Sequence, residues 1–398
     1  MKILSLTVEG FRSLKNVSWS PGDLNVIIGP NGSGKSNLLQ LLELISVSAK
    51  GQLGKHVQRA GGMEPLVWDG KHESISFTVK ATPVEEWRKV ARDSLTYEVT
   101  LSRIGKTSAF TISHELLGNY YPAQHDGLAE PFKFLERARH KAVVFDQEKK
   151  SLRTTEELLP EDETLLSLAS GPFSYNPYIP PFQAQIAGWC VYQDLHVNRD
   201  APIRQAVVAR FEKRVEGDGQ NLISVLHTLY TGDREFKRNI DLAMRAAFGD
   251  DYEELVFPPV GDQKIQLRIR WKTLGTETSA ADLSDGTLRF LFLLAVLSSP
   301  SPASLIAIDE PETGLHPSML PIIAEHAVDA AQRTQIIFTT HSPQFLDAFD
   351  EIKPTTTVTK WENGESSLKV LSGKTLDYWL NEYSLGSLFQ SGELEAME

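Results

Sequence analysis

The stretch Gly29-Pro30-Asn31-Gly32-Ser33-Gly34-Lys35-Ser36 constrains this chain more than any other. It satisfies the spacing G-x-x-x-x-G-K-[ST], with an apolar run over residues 24–28 before it and a helical pattern from Asn37 onward. Spaced glycines let backbone N–H groups wrap phosphate oxygens. Lys35 then supplies a mobile charge for the outer phosphates, and Ser36 a hydroxyl for Mg2+. A short apolar strand feeding a helix through such a loop belongs to an α/β sheet covered on both faces.

Composition narrows the class. The 398 residues are 41% hydrophobic and 23% charged, enough for one large domain or two moderate ones. Lys and Arg number 40 against 52 Asp and Glu, a net charge of -12, so contact with nucleic acid would need a local basic patch. The single cysteine, Cys190, makes no internal disulfide and fits a reducing cytoplasm. The N-terminus turns polar too soon for a signal peptide. The longest apolar run, residues 290–297, is far below the ~18–20 needed to span a membrane. A cytoplasmic protein is expected.

Along the chain, residues 3–10 read as a strand ended by Gly10, 24–28 as a second, and 36–45 as the helix after the loop. Strands follow at 74–80 and 96–104, the latter meeting 107–112 across Gly105-Lys106. Signals are mixed from 115 to 202, and the prolines of 171–181 argue against regular helix there. Helices are expected at 221–230 and 235–248. Residues 264–272, KIQLRIRWK, alternate strictly and predict one strand with two unlike faces. The last part alternates strand 305–308, helix 317–333, strand 335–339 and helix 343–348, the pattern of a parallel sheet.

Three further motifs carry chemistry. Residues 305–310, LIAIDE, end a strand in two carboxylates: Asp309 to hold Mg2+, Glu310 to orient or deprotonate water. Thr339-Thr340-His341-Ser342-Pro343 ends the next strand, putting His341 at the same sheet edge, where ligands of open α/β sheets bind. In Leu283-Ser284-Asp285-Gly286-Thr287, polar residues open an apolar helix. That start is either a cap or an anion site. Asp285 would repel phosphate, so its side chain must point away or cap.

With VEGFRSLKN, GPNGSGKS, LSDGTLRF, IAIDEPETGLHP and TTHSP in that order, the chain resembles ABC-type ATPase heads of the SMC/RecF/OLD group of AAA-family ATPases. The resemblance implies a P-loop NTPase fold: a mixed sheet with antiparallel N-terminal strands, a parallel core, and a compact inserted lid or short arm. It implies one head over 1–398, with an N-terminal lobe at 1–114, a mostly helical insert at 115–250 and a C-terminal lobe at 251–398. ATP and Mg2+ are the implied cofactors. Nucleotide is expected to contact residues 29–37 and Arg12, with Ser284 and Gly286 clasping the γ-phosphate held by a second copy. Gln193 is the candidate Q-loop residue, joining Ser36 and Asp309 at the metal. Lys35, Glu310 and His341 are the implied catalytic groups. The turn at 312–317 resembles a D-loop, and His316 is given no catalytic role.

Lys35 and Ser284 lie about 250 residues apart, much farther than in transporter ABC domains, and no heptads mark long SMC arms. The 57 residues after His341 are too few for a typical further domain, so no nuclease in cis is expected. An ATP-switched homodimer is expected instead, with a separate nuclease or toxin effector, in phage defence or DNA repair. Two alternatives stay open: a nucleotide-gated scaffold whose hydrolysis is incidental, and a DNA-repair loader stimulated by DNA. Lys264, Gln266, Arg268, Arg270 and Lys272 share one face and could track phosphates, unless acidic neighbours occupy them. Residues 137–141 form a weaker basic candidate.

Overall fold

A computed structural model describes residues 1–84, 94–105, 107–119, 131–138, 141–154, 159–171, 176–261, 263–349, 352–372, 379–380 and 383–396. The chain divides into two compact units. The first comprises 1–22, 28–189 and 357–371, the second 23–27, 190–356 and 372–398. Among the described residues no helix is long and apolar enough to cross a membrane.

The first unit is built on an eight-stranded antiparallel sheet. Its order is Leu14–Trp19, Ile3–Phe11, Ser74–Ala81, Leu95–Arg103, Phe110–Asn119, Phe132–Ala138, Lys141–Asp146 and Ser151–Thr154. Alternation makes one face of these strands apolar: Leu6, Val8, Phe77, Val79, Tyr97 and Val99 are all buried. The unit also holds helix Lys35–Ala49, which packs on helix Ile179–Ala187, and most of the hairpin Thr355–Glu362/Glu365–Val370.

Several expectations change here. Residues 115–119, 132–138, 141–146 and 151–154, expected within a mostly helical insert, are strands. Their period-two signal is broken by the adjacent apolar pair Phe134-Leu135 and by a register shift between Leu117 and Gly118. The proline-rich stretch does start a helix, because Pro180 and Pro181 fall in its first turn, where no N–H is needed. Lys106, Arg139, His140 and residues 172–175 lie outside the described residues.

A buried carboxyl ties this sheet to a helix. Glu115 accepts N–H bonds from Leu165 (2.6 Å) and Leu166 (2.8 Å) and an O–H bond from Tyr97 (3.0 Å). It thereby caps helix Leu165–Leu168. Burial pushes its pKa up to about 7, against those hydrogen bonds, which favour the charged form.

The second unit contains a parallel set in the order Leu305–Asp309, Gln335–Thr339, Leu24–Ile28. All three strands are almost wholly buried, as strands covered on both faces must be. Their register aligns Asp309 with Thr339 and Thr339 with Ile27, so the carboxyl ends lie level. Helices Leu222–Gly232, Arg234–Phe248, Asp285–Leu297 and Leu320–Ala331 complete the unit.

The 264–272 stretch is two short strands rather than one. Lys264–Ile265 pairs with Val207–Val208, whereas Arg268–Trp271 pairs with Tyr252–Val256 and Thr278–Ser279. The partner changes at Gln266, whose N–H turns to the Pro258 carbonyl. Pro258 and Pro259 carry no N–H with which to continue the ladder. The apolar face is buried as expected at Ile265, Leu267 and Ile269.

Candidate functional site

In the first unit, residues 29–36 form a glycine-locked turn. Gly29 (φ 143°), Gly32 (79°) and Gly34 (106°) all occupy backbone conformations that side chains resist. Gly34 caps helix Lys35–Ala49. A Cβ at Gly29 would collide with the Thr359 carbonyl, and one at Gly34 with the Ser366 side chain. The hairpin thus backs the loop closely. Thr359 Oγ1 donates to the Ile28 carbonyl (3.1 Å) and meets Ser33 Oγ at 2.5 Å. The Thr359 proton is spent on Ile28, so Ser33 is the donor in that second bond.

Lys35 is buried, with Nζ donating to the carbonyls of Gly29 (2.8 Å) and Pro30 (3.0 Å). Pro30, Asn31, Gly32 and Ser36 are exposed. Asn37 is a brace: its Nδ2 donates to Ser13 Oγ at 2.7 Å, and Ser366 Oγ donates to the same oxygen at 2.7 Å. Arg12 sits in the turn between the first two strands at φ 48°. Its guanidinium lies 5.9 Å from the centre of the Phe11 ring. Its Nε is buried with no hydrogen-bond partner among the described residues. Burial lowers its pKa.

In the second unit, the strand ends bring the predicted acids and histidine together. Thr339 Oγ1 donates to Asp309. Glu310 adopts the left-handed region (φ 45°), an expensive conformation for a side-chain-bearing residue. Its N–H bonds the Thr339 carbonyl (3.1 Å), which pins it there. Glu310 Oε1 lies 3.3 Å from His341 Nε2, and both side chains remain solvent-accessible, at 45% and 31%.

One carboxylate was not expected. Glu312 Oε1 accepts from Thr340 Oγ1 (2.5 Å) and from the His341 N–H (3.1 Å), fixing the backbone that carries His341. Burial raises its pKa, and Oε2 has no partner among the described residues. The sequence signal was its place two residues after Glu310, which reads equally well as an exposed turn.

Gln193 lines one cavity with Asp309, Glu310, Arg289 and Thr313. Its Nε2 is buried and unpaired among the described residues. Ser284 caps helix Asp285–Leu297: its Oγ accepts the Thr287 N–H (3.1 Å) and bonds Thr287 Oγ1 (2.8 Å). A Cβ on Gly286 would sit 2.5 Å from the Gly314 carbonyl, so only glycine fits. Asp285 points away from the helix start, to Arg204. His316 merely caps the next turn through Ser318.

Two family models match. Residues 1–162 match one described as an AAA ATPase domain. Residues 195–347 match one described as an AAA domain, putative AbiEii toxin, Type IV TA system. No curated protein gives a match. Among solved structures, the crystal structure of an SmcHead bound to the C-winged helix domain of ScpA superposes with a TM-score of 0.57 at 14% identity, covering 95% of this chain and 100% of that one. The chain has the fold of an SMC-type ATPase head. A second such head, with an extended coiled coil and bound to the C-terminal domain of ScpA derived from Pyrococcus furiosus, gives 0.51 at 13% identity over 96% and 99% of the two chains.

In this ATPase head the basic stripe is largely occupied. Arg270 pairs with Glu254 (2.5 Å) and Glu277 (2.8 Å), and Arg268 lies 3.9 Å from Glu277. Lys264 and Lys272 are exposed. Arg137, the start of the weaker candidate, is buried and donates to the Glu163 carbonyl at 3.0 Å.

Proposed function

We propose that this head is a Mg2+-dependent ATP hydrolase whose two copies close on ATP and loosen after its hydrolysis. The observation that carries the reading is the Asp309–Glu310–His341 group at parallel strand ends, with Gln193 sharing a cavity wall with Asp309 and Glu310. Glu310 orients the attacking water and accepts its proton. Two backbone and side-chain anchors at Thr339 hold it in a strained pose, which suits a group that must not drift. His341, whose backbone N–H is held by Glu312, senses the outer phosphate.

Residues 29–36 hold the phosphates, with Lys35 leaving its two carbonyl partners for phosphate oxygens. Asn37 serves the loop indirectly, through Ser13. Arg12 supplies a cation of lowered pKa and an Nε with no partner among the described residues for the nucleotide. The Ser36 hydroxyl in the first unit, and the Asp309 carboxylate and Gln193 amide oxygen in the second, are each of the oxygen-ligand type a small hard cation prefers. Gln193 shares a cavity with the Asp309 and Glu310 carboxylates, and its amide oxygen fits that role. Mg2+, when bound, offsets phosphoryl charge during transfer. Ser284 and Gly286 clasp the γ-phosphate of the other copy from a helix start whose dipole favours an anion.

The SMC heads in the two similar structures are bound to domains of ScpA, and one matched family model names a putative toxin. The ScpA-bound heads support a separate protein partner, which we read as a nuclease or toxin effector in phage defence or DNA repair. The toxin name belongs to the family model that matches residues 195–347 of this chain itself. Turnover stimulated by DNA would favour repair. Turnover indifferent to DNA would favour defence.

The test is ATP turnover by the full chain. Glu310→Gln should lower kcat by about 100-fold or more while nucleotide affinity changes little. Lys35→Ala should abolish binding itself. Hydrolysis by Glu310→Gln at the unaltered rate would refute the role given to Glu310, whereas a Glu310→Gln chain that loses hydrolysis yet keeps full biological activity would favour a scaffold.

A further inference from the structure

The carboxylate of Asp285 sits at the start of the helix that the proposed function assigns to γ-phosphate recognition, where a negative charge should harm the site. Arg204 resolves the conflict. Its side chain is only 5% exposed, whereas that of Asp285 is 65% exposed. Four of its hydrogen bonds go to this turn. Nη1 donates to the carbonyls of Ala280 (3.1 Å), Ala281 (3.3 Å) and Leu283 (2.6 Å), and Nη2 donates to Asp285. Nε donates to the Val197 carbonyl at 2.6 Å, four residues after Gln193.

Two consequences follow from peptide geometry and charge. A trans peptide points its C=O and its N–H in opposite directions. Drawing the Leu283 carbonyl onto the cation therefore turns the Ser284 N–H away from it. Pairing with Arg204 also neutralises Asp285, so the turn meets an anion with its amides and hydroxyl rather than with a carboxylate.

We infer that Arg204 is the positioning residue of the signature turn: its guanidinium shapes residues 280–285, cancels the charge of Asp285, and ties both to the segment that follows Gln193. The inference rests on the reading of Ser284 as a ligand of the γ-phosphate. Lysine cannot replace it, since an ammonium is a point charge that cannot bridge Val197, three carbonyls and a carboxylate at once.

The test uses the full chain, with affinity for a fluorescent non-hydrolysable ATP analogue and kcat for ATP measured separately. Arg204→Met should leave analogue affinity within about twofold and lower kcat by about tenfold or more, as expected for losing hydrogen bonds to a charged group. Arg204→Lys should recover little of this. Ser284→Arg should give a similar loss, and the double variant should be no worse than either single one.

Because a buried arginine can matter for folding, Asp285→Ala provides a second arm. Its side chain is mostly exposed, so the fold tolerates the change. It should lower kcat by about threefold alone, yet raise it in the Arg204→Met background, where it removes a carboxylate left unpaired beside the phosphate. Independent, multiplicative effects, or unaltered turnover in Arg204→Met, would overturn the role of Arg204 alone. Unaltered turnover in Ser284→Arg would overturn the phosphate reading and this inference with it.

Discussion

The phosphate loop and the signature turn both present a helix start to solvent, yet they are built in different ways. Residues 29–36 take their shape from three glycines in left-handed conformations and from a hairpin that leaves no room for a Cβ at Gly29 or Gly34. Residues 280–287 contain one glycine, Gly286, and take their shape from a guanidinium some 80 residues earlier in the chain. The first is specified by its own letters. The second is specified by a distant partner, and its local letters look like an ordinary cap. Turn chemistry can be read locally, whereas a buried cation shows itself only through the carbonyls it collects.

The comparison predicts unequal sensitivity. The largest effect belongs to Gly34→Val. A branched side chain at φ 106° against Ser366 should cost several times the ~1 kcal/mol of an ordinary glycine replacement and lower nucleotide affinity by about 100-fold or more. Fluorescent-nucleotide titration measures it. A variant that binds normally would show that the loop is less rigid than its glycines imply.

The unit that holds the phosphate loop should also carry a pH signature. Glu115 is raised to about 7 when folded, from an ordinary 4.5. The folded state therefore binds its proton more tightly than the unfolded chain. No penalty exists below about pH 4.5; it grows between 4.5 and 7 and is complete above 7, at about 3 kcal/mol. Urea unfolding across that window should show the loss of stability, and Glu115→Gln should flatten the dependence. A rise in stability with pH that depends on Glu115 would contradict its assignment.

Ser284→Asp sharpens the difference between cap and ligand. Aspartate caps a helix as well as serine, so the melting temperature should hold within the few degrees that ~0.5 kcal/mol represents. The added charge should nevertheless weaken ATP-dependent association by about tenfold. Association that is the same in Ser284→Asp as in the unaltered chain would leave Ser284 as a cap alone. The smallest effect is expected from Thr359→Val, which removes the hydroxyl shared by Ser33 and Ile28. It should cost about 1 kcal/mol of stability and a few-fold in nucleotide affinity.

The same contrast explains what could be read from the letters. The three parallel strands were legible because short, mostly apolar runs leading into Gly29, Asp309-Glu310 and Thr339-Thr340-His341 leave little choice. The strands at 132–154 were not, because short runs such as KAVVFD gain their identity from neighbours in the sheet. At the site, the strand ends bring Asp309, Glu310 and His341 to one sheet edge. Glu312 and Arg204 were missed because each acts on backbone atoms, for which a sequence carries no mark. The basic face of 264–272 was visible, but the acids that occupy Arg268 and Arg270 come from other strands and loops.

The solution mass of Glu310→Gln, measured with Mg-ATP and again with Mg-ADP, tests the proposed switch most directly. The account predicts a dimer, or a markedly tighter dimer, with ATP alone. A mass that does not depend on the nucleotide would contradict it: assembly would then rest on other contacts, and the Ser284 turn would not be a clasp that ATP closes.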